Sequence, residues 1–264
     1  MRCNHCEKII DKEESFYEID GEFYCEDCVE ERTITYYTIG GDTGINYEDN
    51  ETSWHRNIND FMEVIEENPN LCGLNVTIPY KEQVIPFLDS LDPDTAKIGA
   101  VNVIKIIRQP KGKVKLVGYN SDIIGFTQSI QPLLLPSHKK ALILGTGGAS
   151  KAVFHGLKNL GIEGVFVSRT HKPGMLTYEE LTPEIMTEYT VIVNCTPVGM
   201  YPKVDFCPDI PYEQLTPNHL LYDLLYNPNV TLFMKKGEER GAITKNGLEM
   251  LLLQAFAAWE IWNK

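Results

Sequence analysis

An α/β fold is predicted for the greater part of this chain, with a small metal-stabilised module at its N-terminus. Three observations carry the prediction. Amphipathic helices alternate with short apolar strands from Ile58 onward, a glycine-rich turn joins one strand to a helix at GTGGAS (145–150), and four cysteines fall within the first 28 residues in two close pairs. At 264 residues, with 43% hydrophobic and 23% charged residues, the chain has apolar material for two domains, and disorder throughout is excluded. The longest apolar stretch, Leu248–Trp259, carries Glu249 and is shorter than the ~20 residues a membrane span needs, and MRCNHCEKII contains no apolar signal core. A cytoplasmic protein without a membrane partner is expected. The net charge of −13 repels a phosphate backbone and argues against nucleic acid as a partner. Residues 1–32 hold eleven acidic and four basic residues, which sets them apart from the rest.

Within residues 1–32 the cysteines stand as Cys3-x2-Cys6 and Cys25-x2-Cys28. Two residues between thiolates let a tight turn aim both sulfurs at one ion, and two such turns complete a tetrahedral S4 shell with zinc about 2.3 Å from each sulfur. Disulfides are the lesser alternative in a reducing compartment. The sequence SFYEIDGEFYC between the pairs reads as a hairpin turning at Asp20-Gly21. So short a segment builds little core, so a closed, structural zinc site would supply its folding energy. The stretch resembles half of a LIM domain or a zinc ribbon, families in which such modules serve as scaffolds or bind protein partners.

Residues 33–57 show brief strand-like alternation through Tyr37 and then a polar, glycine-bearing passage without period, read as a strand followed by a linker. From Ile58 the apolar residues Ile58, Phe61, Met62 and Ile65 repeat at helical spacing, and Asn68-Pro69 ends the run. Strands follow at Leu74–Ile78, Val101–Ile107 and Val114–Gly118, the last two as a hairpin, with helices at Glu82–Leu88 and Asp122–Leu134. A second run then gives strand Ala141–Leu144, helix Ser150–Leu160 and strands Val165–Ser168, Val191–Asn194 and Leu220–Leu224. Cys72, Cys195 and Cys207 lack pair spacing and read as buried, inert thiols.

The glycine turn places Gly145, Gly147 and Gly148 between an apolar strand and an amphipathic helix. A dinucleotide pyrophosphate needs close backbone approach and free N–H groups at a helix N-terminus, which Gly147, Gly148, Ala149 and Ser150 supply. An ordinary strand-to-helix turn is the bland alternative. The next strand ends in Ser168-Arg169-Thr170-His171-Lys172, where an NAD enzyme usually carries an acid for the ribose. Cationic and hydroxyl groups there suit a 2′-phosphate and favour NADP.

The motifs LNVTIPYK (74–81), IGAVNVI (98–104), GYNSDIIGF (118–126), LGTGGASKAV (144–153), NCTPVGMYP (194–202), YDLLYNP (222–228) and NGLEMLLLQAFAAWEIW (246–262) together resemble the shikimate dehydrogenase family. The resemblance runs from about residue 58 to the C-terminus. It implies an NADPH-dependent reduction of 3-dehydroshikimate to shikimate, in the pathway to aromatic amino acids, by a substrate-binding α/β domain (58–122 and 246–264) and a Rossmann-like NADP-binding domain (123–245). It implies Lys81 and Asp122 as the catalytic pair, since a lysine whose charge is set by a carboxylate can hand a proton to the carbonyl oxygen during hydride transfer. A surface lysine and a helix-capping aspartate are the alternative readings of these two residues. The resemblance further implies Thr77, Asn102, Tyr226 and Gln254 at the substrate, and Asn194, Thr196, Met200 and Gly247 on the nicotinamide side.

Two departures from the family accompany these matches. The family opens with a strand, a Ser-x-Ser-Pro turn that binds the substrate carboxylate, a helix and a further strand, whereas no Ser-x-Ser precedes residue 58 here. The expectation is an incomplete substrate domain, with one side of its sheet unpaired and weakened binding of the carboxylate; hydrogen bonds to charged groups contribute about 1.5–3 kcal/mol each. In the phosphate clamp, Ser168 replaces the family's Asn and Lys172 comes one position early. A non-catalytic adaptor, with the zinc module engaging a protein partner and the remainder holding NADP, is the alternative function.

Overall fold

The computed structural model describes residues 61–264 except Ile78, together with Ile58 and the strands at 16–19, 22–25, 38–39 and 54–55. The chain divides into two units, residues 1–35 and 36–264. In the first, β1 (Phe16–Ile19) and β2 (Glu22–Cys25) pair antiparallel, with Ile19 opposite Glu22 and Phe16 opposite Cys25. This is the hairpin expected around Asp20-Gly21. Cys25 closes β2, whereas Cys3, Cys6 and Cys28 lie outside the described residues, as does the zinc site expected of the four. Among the described residues, no group of His, Cys, Asp or Glu is placed to hold a metal ion.

The second unit contains two six-stranded sheets. The first comprises β3 (Thr38–Ile39), β4 (Trp54–His55), β5 (Gly73–Val76), β6 (Ser90–Leu91), β7 (Val103–Arg108) and β8 (Val114–Tyr119), in the order β4-β3-β5-β7-β8-β6. β3 runs parallel to both β4 and β5, while β7 is antiparallel to β5 and β8. The unpaired side expected of this sheet is therefore corrected: β5 is an inner strand, and β3 and β4 extend the sheet beyond it. Each of these two strands is only two residues long, too short for alternation to reveal it within a polar stretch.

Helix α1 (Phe61–Glu67) begins three residues later than its apolar spacing suggests, and Ile58 packs against the same core. Phe61, Val64 and Ile65 are buried against Leu74, Val76 and Ile104. Each such side chain contributes about 1.5–3 kcal/mol relative to exposure. Helix α2 (Pro93–Ile98) is capped by Asp92, whose carboxylate accepts the N–H groups of Asp94 and Thr95, and ends at Gly99 in the left-handed region (φ 68°). The helix expected at Glu82–Leu88 is reduced to a single 3-10 turn, Ile85–Phe87, because Pro86 cannot donate to a helical ladder.

The second sheet is wholly parallel: β9 (Lys140–Leu144), β10 (Glu163–Ser168), β11 (Leu176–Thr177), β12 (Val191–Asn194), β13 (Leu220–Asp223) and β14 (Ile243–Lys245), in the order β11-β10-β9-β12-β13-β14. Helices cover both faces, as continuous apolar strands require. Ala141, Ile143, Val193 and Tyr222 pack against Phe126 and Ile130 of α3 (Asp122–Ile130) and Val153 and Leu157 of α4 (Gly148–Asn159). The alternate residues Leu142, Leu144, Ile192 and Leu221 pack against Met186 of α5 (Pro183–Glu188) and Phe233 of α6 (Leu232–Glu238).

Helix α7 (Leu248–Asn263) joins the halves. Met250 enters the core of the parallel sheet, and the indole N–H of Trp262 donates to the Ile104 carbonyl of β7 at 3.1 Å. Where α7 crosses α3, a Cβ on Gly125 would lie 2.5 Å from the Met250 carbonyl oxygen, so only glycine permits the approach that places Gln254 beside Ser121. Among the described residues, no helix is long and apolar enough to cross a membrane.

Candidate active site

Four of the substrate-side residues expected from sequence meet in one cluster. Lys81 lies in the turn after β5, and its main-chain carbonyl accepts the Val101 N–H at 2.7 Å. Its Nζ donates to Asp122 Oδ2 at 2.5 Å, with side-chain exposures of only 13% and 8% for the pair. Asp122 stands at the first position of α3, where the helix dipole favours a negative charge. Its second oxygen accepts from Asn102 Nδ2 at 2.8 Å, and Asn102 Oδ1 takes the Ser121 N–H at 2.7 Å. Gln254 Oε1 accepts the Ser121 hydroxyl at 3.2 Å. The result is a largely desolvated ammonium with one carboxylate partner whose remaining oxygen is already bonded, so the proton on Nζ is held at a fixed place.

Thr77 and Tyr226 are not drawn into this network. Thr77 is half-buried after β5, and its carbonyl accepts the Tyr80 N–H at 2.9 Å. Tyr226 is 48% exposed in the loop that follows β13.

The glycine turn closes on the same lysine. Gly145 has φ 102°, a left-handed conformation that lets β9 turn into α4. No side chain caps the helix at Gly147, and the Ser150 hydroxyl instead donates to the Gly147 carbonyl at 2.7 Å. A Cβ built on Gly147 meets no described residue within 4 Å, whereas one on Gly148 would lie 3.0 Å from the Cβ of Lys81. The helix N-terminus at Gly147, Gly148 and Ala149 thus offers open space on one side and touches the lysine stem on the other, a fit for a pyrophosphate. At the end of β10, Ser168 is buried and its hydroxyl accepts the Thr170 N–H, while Arg169 and Thr170 are exposed. Arg169 makes no ion pair among the described residues and is near enough to Tyr178 to oppose the upward shift that burial gives its phenol. Asn194 ends β12 and Thr196 and Met200 follow it, and Gly247 packs beneath the Leu224 carbonyl at the start of α7.

A family model for the shikimate dehydrogenase substrate binding domain matches residues 35–104, a span that begins ahead of β3 and includes both short strands. Over 217 residues the chain is 38% identical to "Shikimate dehydrogenase (NADP(+))" of Desulforamulus reducens, covering 74% of this chain and 72% of that protein. The chain belongs to the shikimate dehydrogenase family. A chorismate mutase/shikimate 5-dehydrogenase fusion protein from Clostridium acetobutylicum shares the fold with a TM-score of 0.73 and 31% identity, over 88% of this chain and 92% of that one. The shikimate 5-dehydrogenase of Thermus thermophilus, solved with NADP(H) and shikimate, matches with a TM-score of 0.69 and 26% identity, over 87% and 93%. The two-domain α/β architecture with a parallel, Rossmann-like sheet is the shikimate dehydrogenase fold.

Three features of this chain depart from the sequence reading. Ser121, which stands where the family usually has Thr, bridges Asn102 and Gln254. Asp223, which carried no role of its own within YDLLYNP, is wholly buried at the end of β13. Of the three lone cysteines expected to be buried, Cys72 is exposed just ahead of β5 and Cys195 and Cys207 are half-buried, with burial pushing the Cys195 thiol well up.

Proposed function

We infer that this chain is an NADP-dependent shikimate dehydrogenase that interconverts 3-dehydroshikimate and shikimate. The observation that carries this reading is the desolvated Lys81–Asp122 pair, bonded to Asn102 and set against the glycine turn, in a chain with 38% identity to a named shikimate dehydrogenase. NADPH, when bound, supplies the hydride to the ketone carbon. As that bond forms, the carbonyl electron pair moves onto oxygen, and Lys81 donates the proton that oxygen requires; in the reverse direction the neutral amine removes it. Asp122 holds the ammonium in place and compensates its charge.

Asn102 and Gln254, with Thr77 and Tyr226 from the neighbouring loops, are assigned to the substrate hydroxyls and ring. Gly145, Gly147, Gly148, Ala149 and Ser150 are assigned to the pyrophosphate, Ser168, Arg169 and Thr170 to the 2′-phosphate, and Asn194, Thr196, Met200 and Gly247 to the nicotinamide side. Residues 58–122 and 246–264, extended by β3 and β4, make the substrate domain, and residues 123–245 the NADP domain. Cys3, Cys6, Cys25 and Cys28 are assigned to a structural zinc, a reading supported by their spacing and by the hairpin that ends at Cys25.

The test is the initial rate of NADP+ reduction with saturating shikimate, compared with the Lys81→Ala variant. Turnover that falls by about 10²–10⁴ in the variant supports the assignment. A second reading, favoured by the missing Ser-x-Ser, is an NADP-binding adaptor; absence of turnover in folded protein that binds NADPH supports it.

A further inference from the structure

Asp223 is the one carboxylate among the described residues with no exposure at all, and no described cation pairs with it. Its three partners are neutral donors. Oδ1 accepts Asn194 Nδ2–H at 3.0 Å and the Leu225 N–H at 3.1 Å, and Oδ2 accepts the Thr231 hydroxyl at 2.7 Å. Burying a carboxylate without a countercharge is costly, and stability alone does not call for it.

The position explains the charge. Asp223 and Asn194 are register partners at the ends of adjacent parallel strands, β13 and β12, and Asn194 directly precedes the loop assigned, with Gly247, to the nicotinamide side. A side-chain amide bonds equally well in either of two flipped orientations unless its neighbours decide. An ionised carboxylate only accepts, so Asn194 turns its NH2 toward Asp223, an orientation that the Val198 carbonyl, accepting from the same NH2 at 3.4 Å, shares. Its oxygen is then directed at Thr196, accepting the backbone N–H at 3.0 Å and the hydroxyl at 2.7 Å. Thr196 in turn backs the glycine turn, because a Cβ on Gly145 would lie 3.1 Å from Thr196 Cγ2. Asp223 also fixes the Leu225 N–H, next to the Leu225 carbonyl that accepts the Gly247 N–H at 2.9 Å.

We propose that Asp223 is a positioning residue for the cofactor: its carboxylate sets the orientation of Asn194 and, through it, the Thr196 loop that faces the nicotinamide side of the site. The inference rests on the NADP-dependent reading above. Burial raises the Asp223 carboxyl to about 6, so the acceptor-only form prevails at neutral pH.

The experiment uses the full chain and three variants, Asp223→Leu, Asn194→Asp and Asp223→Asn, read by NADPH fluorescence titration and thermal unfolding, with KM and kcat for shikimate oxidation alongside. Asp223→Leu removes both acceptor oxygens and is expected to weaken NADPH by about tenfold. KM for NADP+ should rise more than KM for shikimate. Asn194→Asp sets two carboxylates together and should weaken NADPH at least as far. In Asp223→Asn the amide oxygen still accepts from Asn194 and the Leu225 N–H while its NH2 turns to the Thr231 hydroxyl oxygen. Affinity in that conservative variant should stay within about threefold of the parent.

NADPH affinity within about twofold of the parent in folded Asp223→Leu overturns the proposal, as does an Asp223→Asn variant no better than Asp223→Leu. Should Asp223→Leu fail to fold, Asn194→Asp decides: lost NADPH affinity in folded protein supports the proposal, and affinity within about twofold of the parent or failure to fold overturns it. A parent that binds NADPH but leaves shikimate unchanged overturns the substrate assignment alone, and the titrations still judge Asp223. A parent that binds no NADPH removes the cofactor reading and this inference together.

Discussion

Gly147→Ala separates the stability of the chain from its capacity to hold a dinucleotide. The backbone at Gly147 has φ −82° and ψ −179°, an extended conformation that alanine adopts without strain, and the added methyl meets no atom of the described residues within 4 Å. Two small effects on stability oppose each other. Alanine narrows the unfolded ensemble, worth about 0.4–1 kcal/mol, while glycine is the better residue at a helix N-cap by about the same amount. The melting temperature should therefore stay within about 4 °C of the parent.

The same methyl projects into the space where a pyrophosphate would approach the α4 N-terminus. Overfilling a close-packed contact costs about 1–3 kcal/mol, so the NADPH dissociation constant should rise by about tenfold or more. The assay is fluorescence titration with NADPH alongside differential scanning calorimetry on the same preparation. An unchanged dissociation constant would refute the assignment of this turn to the cofactor. A large drop in melting temperature would refute the open space described around Gly147.

Gly247→Ala should behave in the opposite way. Its Cβ would lie 2.1 Å from the Leu224 carbonyl oxygen, so backbone must move by about 1 Å, and calorimetry should show a loss of about 1–3 kcal/mol, or about 4–12 °C. Arg169→Ala should weaken NADPH by at least about tenfold while leaving NADH binding nearly unchanged, because only the former carries the 2′-phosphate; equal loss for both cofactors in paired titrations would count against the clamp. The Asp223 carboxyl, raised by burial from 3.8 to about 6, binds its proton more tightly in the folded chain than in the unfolded one. Its contribution to stability is therefore present in full below the unfolded value and is lost as pH rises to about 6, amounting to about 3 kcal/mol. Urea unfolding between pH 4 and 7 should show a shallower dependence in Asp223→Asn than in the parent, and identical slopes would show that burial does not shift this group.

The chemistry of the site was legible wherever a residue type is uncommon without a job. The glycine turn and the cationic end of β10 stood out because each places groups that a plain packing role does not need, whereas Lys81 and Asp122 were legible only through the resemblance of their motifs to the family; the structure brings Lys81, Asp122, Asn102 and Gln254 into one bonded cluster. The strands of the parallel sheet were legible too, since burial on both faces leaves runs such as ALIL and VIVN with no polar interruption until the last residue.

What stayed hidden depends on contacts between residues far apart in the chain. β3 follows directly on the alternation read through Tyr37, but its place between β4 and β5 is settled only by pairing, and β4 has no pattern of its own. Ser121 matters because α7 returns 133 positions later to present Gln254, an approach permitted by Gly125. The burial of Asp223 is decided only when β12 and β13 lie side by side and Asn194, Thr231 and Leu225 close around it. The sequence by itself determined which chemical groups and which apolar faces exist, because those are properties of residue type and spacing. Tertiary structure alone decided which of those groups lose water and meet, because desolvation and hydrogen-bond partnership are settled only when distant segments pack together.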